Sequence, residues 1–135
     1  MRQSSLVLGI MLTLTACASS PTQPPRSEFE DIPVPKGLTL DRSKSTVIES
    51  PTLKAARLVY KGRVEPDSLG LLFRTTLEAN GWRHLTTTTG SDKGTTQVYD
   101  KSGNSLHVLI YEGFYYTWVE VSATRAAGPA TSQAR

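Results

Sequence analysis

One cysteine, Cys17, stands in the whole sequence, so no disulfide can form within the chain and no thiolate cluster can hold a metal. Histidine is almost as scarce. His84 and His107 fall short of the three or four ligands of a zinc centre, and no HxxxH or HExxH spacing occurs. There is no GxSxG elbow and no SxxK with its partner motifs. Gly90, Gly94, Gly103 and Gly113 are separated as turn residues rather than gathered into a phosphate loop. Charge of one sign is also missing: 15 Lys and Arg face 12 Asp and Glu, a surplus too small and too dispersed for a nucleic-acid footprint. The longest apolar stretch, inside Ser5 to Leu14, is far shorter than the roughly 20 residues of a membrane-spanning helix. The carboxylates Asp92, Asp100, Glu112 and Glu120 sit in turns and on strand faces, without room for a glycosidase-type cleft. These absences predict no catalytic residue, no cofactor and no metal, and a protein that is not an enzyme.

What is present begins at the amino terminus. Arg2 supplies a thin basic head, Leu6 to Leu14 an apolar run, and Thr15-Ala16 a small-residue approach to Cys17, the layout of an export signal. Leu14-Thr15-Ala16-Cys17 resembles the lipobox of bacterial lipoprotein precursors, which are cut just before the cysteine. The resemblance implies a signal peptide over residues 1–16 and a diacylglyceryl thioether on Cys17, with a further acyl chain such as palmitate on its new amino group. Acyl chains contribute about 0.8 kcal/mol per buried CH2, so two or three of them hold a protein on a membrane without a spanning helix. Ala18 rather than Asp after the cysteine implies, in a Gram-negative cell, an outer-membrane location facing the periplasm.

Residues 17–30 are rich in Ser, Thr and Pro, with Phe29 the one large apolar side chain, and read as a flexible tether. From Asp31, Ile32-Pro33-Val34-Pro35 alternates apolar residues with prolines, an extended path suited to a domain edge. Leu38-Thr39-Leu40 and Thr46-Val47-Ile48 are weak β fragments, readable as a small hairpin or an added edge strand. Alternation then predicts a strand from about Lys54 to Val64. Pro66, flanked by Glu65 and Asp67, opens a helix whose buried stripe is read as Leu69, Leu72, Phe73 and Leu77. Leu71 is read as covering the edge of the core, and Gly81 as the left-handed cap. Four strands with short turns follow, through Trp82 to Thr89, Thr95 to Lys101, Ser105 to Tyr111 and Phe114 to Ala123. The expectation is one α+β domain over 31–123, a single amphipathic helix on a mainly antiparallel sheet of four to six strands, ordered β-α-β-β-β-β after weak N-terminal β additions. Residues 124–135 read as a disordered tail. Element order and the proline-rich lead-in loosely resemble the small α+β domains of BamC-type envelope lipoproteins, which implies an accessory role in the envelope and no functional residue.

The densest cluster of large side chains is Phe114-Tyr115-Tyr116-Thr117-Trp118. In a continuous strand Phe114, Tyr116 and Trp118 share one face and Tyr115, Thr117, Val119 and Val121 the other. If the valine face packs on the helix, Phe114, Tyr116 and Trp118 form an exposed recognition stripe, with Arg57, Lys61, Arg63 and Arg83 available to flank it. The opposite assignment makes the stripe core. The expected function is a noncatalytic accessory protein, tethered to the membrane at Cys17, that binds another envelope protein. The alternative is a module for a small ligand, lipid, glycan or peptidoglycan, which requires a pocket lined by Trp82, Tyr99, Tyr111 or Trp118.

Overall fold

The structure, a computed structural model, describes Phe29 and residues 32–126. Cys17, the expected export segment over residues 1–16, most of the expected tether over 17–30 and the chain beyond Ala126 lie outside the described residues.

Short-range chemistry fixes the helix. Pro66 occupies the first turn of α1 (Pro66–Ala79), where its missing N–H costs nothing. The Glu65 carboxylate accepts from the backbone N–H groups of Asp67 at 2.9 Å and Ser68 at 2.7 Å, which otherwise have no intrahelical partner. Gly81, at φ +85°, turns the chain away at the other end, as its place after the last apolar residue predicts. The buried face is Leu69, Gly70, Phe73 and Leu77. Leu72, expected in this stripe, is exposed, and so is Leu71, expected at the core edge. The helix is rolled toward Gly70, whose bare backbone sits close enough to the sheet for its carbonyl to accept from Gln97 Nε2 at 3.0 Å.

Seven strands build one antiparallel sheet: β1 (Leu38–Leu40), β2 (Thr46–Glu49), β3 (Leu53–Gly62), β4 (Arg83–Gly90), β5 (Gly94–Lys101), β6 (Asn104–Glu112) and β7 (Thr117–Ala126). Their order is β1-β3-β7-β6-β5-β4, with β2 also paired to β3. β1 and β2 thus share one edge row, β1 opposite residues 60–62 of β3 and β2 opposite 54–57. The β fragments form an added, interrupted edge strand. The strand before the helix lies beside β7, the last strand of the meander, so α1 carries the chain back across β7, β6 and β5 to β4 on the far edge. β7 runs three residues past Ala123, where the tail was expected to begin.

Directly paired residues point to the same side of a sheet. The registers Leu58↔Val121↔Val108 and Tyr60↔Val119↔Ile110 gather one face, and α1 packs on it over β6 and β4. Leu106, Val108, Ile110, Val119, Val121 and Tyr99 meet Leu69, Phe73, Leu77 and Trp82 there. Phe29, whose neighbours in sequence read as tether, is buried in this core together with Ile32, and Val34 and Leu38 pack against it. Among the described residues no helix is long and apolar enough to cross a membrane.

One polar chain runs through this core. Tyr99 Oη donates to Gln97 Oε1 at 2.7 Å, and Gln97 Nε2 donates to the Gly70 carbonyl, so two sheet residues hold the helix in register. Burial, helped by the charge of Glu78, pushes the Tyr99 phenol up to about 12, which keeps it a donor throughout the working pH range. Tyr99→Phe leaves a buried amide oxygen without its donor. It is expected to destabilise the domain by about 1–3 kcal/mol, read as a lower midpoint in urea with an unchanged m-value.

Glu65 gives a second expectation. Its hydrogen bonds, first to Ser68 and then to the backbone at Asp67, hold its carboxyl below the ordinary glutamate range. A carboxyl lowered in the folded state contributes stability that is present above its unfolded pKa and is lost as pH falls through the folded value. Glu65→Gln, which cannot titrate, is therefore expected to flatten the loss of stability between about pH 5 and pH 2, measured as urea midpoints across that range.

Candidate functional site

The sheet face away from the helix carries Trp118, Glu120 and Ser122 of β7, flanked by Lys61, Val59 and Arg57 of β3 and by Tyr111, Leu109 and His107 of β6. No helix covers it. Its centre is a chain of contacts across three strands. Arg57 Nη2 lies 2.7 Å from Glu120 Oε2, and Tyr111 Oη donates to Glu120 Oε1 at 3.2 Å. Burial, reinforced by Glu120, raises the Tyr111 pKa, so the phenol stays protonated as the donor.

Trp118 is held from three sides. Below it, Gly113 leaves room for the indole: a Cβ at that position would lie 2.7 Å from Trp118 Nε1. Above it, Lys44 Nζ stands 3.7 Å from the ring centroid, a cation on the electron-rich face. Beside it, Lys61 Nζ lies 5.7 Å from the Trp118 ring and 5.8 Å from that of Tyr116, while the Arg63 guanidinium lies 5.7 Å from Tyr116. Lys61 is also 3.6 Å from Asp41.

The segment between β1 and β2 delivers Lys44. Residues 41–45 bow out where β3 contributes only Leu58 and Val59, and the bow is pinned at both ends. Asp41 N donates to the Val59 carbonyl at 2.7 Å, and Ser45 Oγ accepts from Val59 N at 3.0 Å while donating to the Asp41 carbonyl at 2.8 Å. Asp41 Oδ1 closes the turn by accepting from Ser43 Oγ at 2.6 Å. That bond, with Lys61 and Lys44 nearby, lowers the pKa of Asp41. The Lys44 carbonyl accepts from Arg57 Nη1 at 3.3 Å. The bow and the centre of the face are therefore one connected unit.

Not all of the expected stripe is strand. β7 begins at Thr117, and Phe114, Tyr115 and Tyr116 form the turn from β6, closed by Gly113 N donating to the Tyr116 carbonyl at 2.7 Å. The alternation of a strand does not operate through that turn. Phe114, 92% exposed, rests edge-on against Tyr115, 71% exposed, with ring centroids 4.6 Å apart. Tyr116, 39% exposed, joins Trp118 through their shared cation Lys61, so the structure brings Tyr116 and Trp118 together and leaves Phe114 with Tyr115 at the tip. Thr117, Val119 and Val121 are buried on the helix side, as the stripe reading required.

Arg57, Lys61 and Arg63 flank the face as the sequence suggested, and Arg83 does not. Arg83 is at the far end, opposite Asp100, with Nε 2.8 Å from Oδ1 and Nη2 2.9 Å from Oδ2. Lys44 escaped the sequence reading. Its only signal is the short polar run Asp41 to Ser45 between two β fragments. The residues proposed to line a pocket also part company: Trp82 and Tyr99 are buried in the core, and Tyr111 and Trp118 lie on the open face. His84 shares the helix side with Tyr99, stacked edge-on at 5.4 Å, whereas His107 is on the opposite side, so the two do not form one site. Among the described residues no group of three or more His, Cys, Asp and Glu is placed to hold a metal ion.

Comparison with models of protein families, with curated proteins and with solved structures found no match.

The two tryptophans make this geometry measurable, because Trp82 is buried and Trp118 is partly open. Lys44→Ala removes the cover of the indole and is expected to raise acrylamide quenching of the red-emitting Trp118 component, leaving the Trp82 component unchanged. Gly113→Ala is expected to displace the ring and shift the same component.

Proposed function

We propose that this chain is an exported lipoprotein, anchored through acyl chains on Cys17 at the periplasmic side of the outer membrane, whose domain is a noncatalytic module that binds another envelope protein through the Tyr116–Trp118 face. The observation that carries the reading is a sheet face, free of any described helix, bearing two aromatic rings already set among Lys44, Lys61 and Arg63.

Rings fixed by neighbours lose little entropy when a partner covers them, and they bury a large area each. The cations around them favour encounter with an acidic surface and fix the orientation of docking. The complementary partner is an apolar or aromatic anchor flanked by carboxylates, with Phe114 and Tyr115 at the edge of the contact. Support for the membrane anchor comes from Leu14-Thr15-Ala16-Cys17 and the apolar run before it. The polar tether after Cys17 supports a domain free to reach a neighbour in the same membrane.

Two measurements test the two halves. Mass spectrometry of the protein from envelope membranes is expected to find residues 1–16 removed and Cys17 acylated, and Cys17→Ser is expected to leave the membrane fraction. An unmodified Cys17 on membrane-bound protein overturns the anchor. Affinity capture from solubilised envelopes, repeated with Phe114→Ser/Tyr116→Ser and with Trp118→Ala, is expected to lose a specific protein that the unaltered domain retains. If every captured protein survives these changes in folded variants, the face is not the docking surface.

A further inference from the structure

The helix side of the sheet holds a groove of about 900 Å³ where β1, β2 and β3 extend beyond the area α1 covers. Leu40 lies opposite Tyr60 and Val47 opposite Ala56, so Leu40 and Val47 project to the same side as Leu58 and Tyr60. These four side chains make an apolar floor, and the lead-in closes one side with Pro33 and Val34. A groove of this volume is in the range that holds small amphiphilic ligands.

The charged groups among the described residues that line it share one sign. Lys36 and Arg42 line the groove, both exposed, and neither forms an ion pair with a described carboxylate. No described acidic side chain lines it. Tyr60 is half-buried, its hydroxyl makes no hydrogen bond to another described residue, and burial raises its pKa, so it remains a donor. An apolar floor with cations and a free hydroxyl donor at its margin matches a molecule with a hydrocarbon chain and an anionic head. An uncharged amphiphile gains the chain contacts and at most a neutral hydrogen bond from Tyr60, and a cationic one gains the chain contacts and meets like charge at the margin.

We propose that this groove binds a single-chain anionic amphiphile of the fatty-acid class, its chain on Leu40, Val47, Leu58 and Tyr60 and its carboxylate drawn to Lys36 and Arg42. The site is separate from the protein-docking face, since Trp118 and the groove are on opposite sides of the sheet.

Calorimetric titration of the full chain carrying Cys17→Ser, which removes any acyl group of its own as a competitor, tests this with myristate, tetradecanol and tetradecyltrimethylammonium below their aggregation concentrations. Saturable binding of one myristate per chain is expected, with the other two about tenfold weaker or worse. Laurate, two methylenes shorter, is expected to bind about tenfold more weakly than myristate. Lys36→Glu/Arg42→Glu changes only exposed side chains. It is expected to keep the circular dichroism spectrum while losing at least about tenfold in myristate affinity and improving binding of the cationic amphiphile. Val47→Gln, also at an exposed position, puts an uncharged polar group in the apolar floor and is expected to weaken all three. Absence of saturable binding, equal affinity for the three heads, or unchanged myristate affinity in Lys36→Glu/Arg42→Glu overturns the proposal. Loss of myristate binding in Phe114→Ser/Tyr116→Ser also overturns it, because it moves the site to the other face.

Discussion

Among the described residues a single helix must serve a sheet six rows wide. At about 4.8 Å per row the sheet is about 24 Å across, while a helix with its side chains spans about 10 Å. α1 therefore covers little more than two rows, and among the described residues no second helix continues the layer. Phe29, Ile32 and Val34 extend the cover toward β3 without hydrogen-bonded secondary structure, using proline-constrained backbone instead. The groove over β1, β2 and β3 is what is left when both coverings stop. Hydrophobic burial holds the domain together only where those coverings reach, and both candidate binding surfaces lie where they do not.

The two sheet faces solve their exposure differently. On the helix side, Gln97 and Tyr99 bury a polar chain inside an apolar layer and so fix the position of the helix as well as its attraction. On the open side, long cationic side chains lie across aromatic rings and pair with Glu120 and Asp41. Their aliphatic stems shade apolar surface from water, and Val59 is nearly inaccessible although no described helix lies above it. A face built in this way shields part of its apolar surface and leaves the Tyr116 ring partly accessible.

Much of the architecture was legible because local periodicity is strong. The spacing of Leu69, Phe73 and Leu77, the capping chemistry at Glu65-Pro66 and the alternation along Leu106, Val108 and Ile110 each answer to one element and one buried side. The roll of the helix was not legible. Leu72 and Gly70 flank the same stripe, and hydrophobicity favours leucine, whereas the outcome rests on a backbone carbonyl meeting Gln97 from 27 residues away. Phe29 was hidden by its neighbours, since composition averages over a window and one buried ring does not change the window. The aromatic cluster was half legible. Trp118 follows from strand alternation, but the turn from Gly113 to Tyr116 resets the phase and separates Phe114 from the other two rings. Lys44 lies far along the chain from Trp118, and only the tertiary fold relates them.

The bow at residues 41–45 has a consequence for self-association. A long, regular outer strand offers an unbroken row of N–H and C=O groups to another copy of the chain. Here that row is cut into strands of three and four residues, and the interruption turns Asp41 and Ser45 inward onto Val59. An incoming strand finds no uninterrupted ladder along this margin. The opposite margin is broken as well, by the register shift between His84 and Thr86 in β4. Neither end of the sheet is a ready template for stacking copies edge to edge.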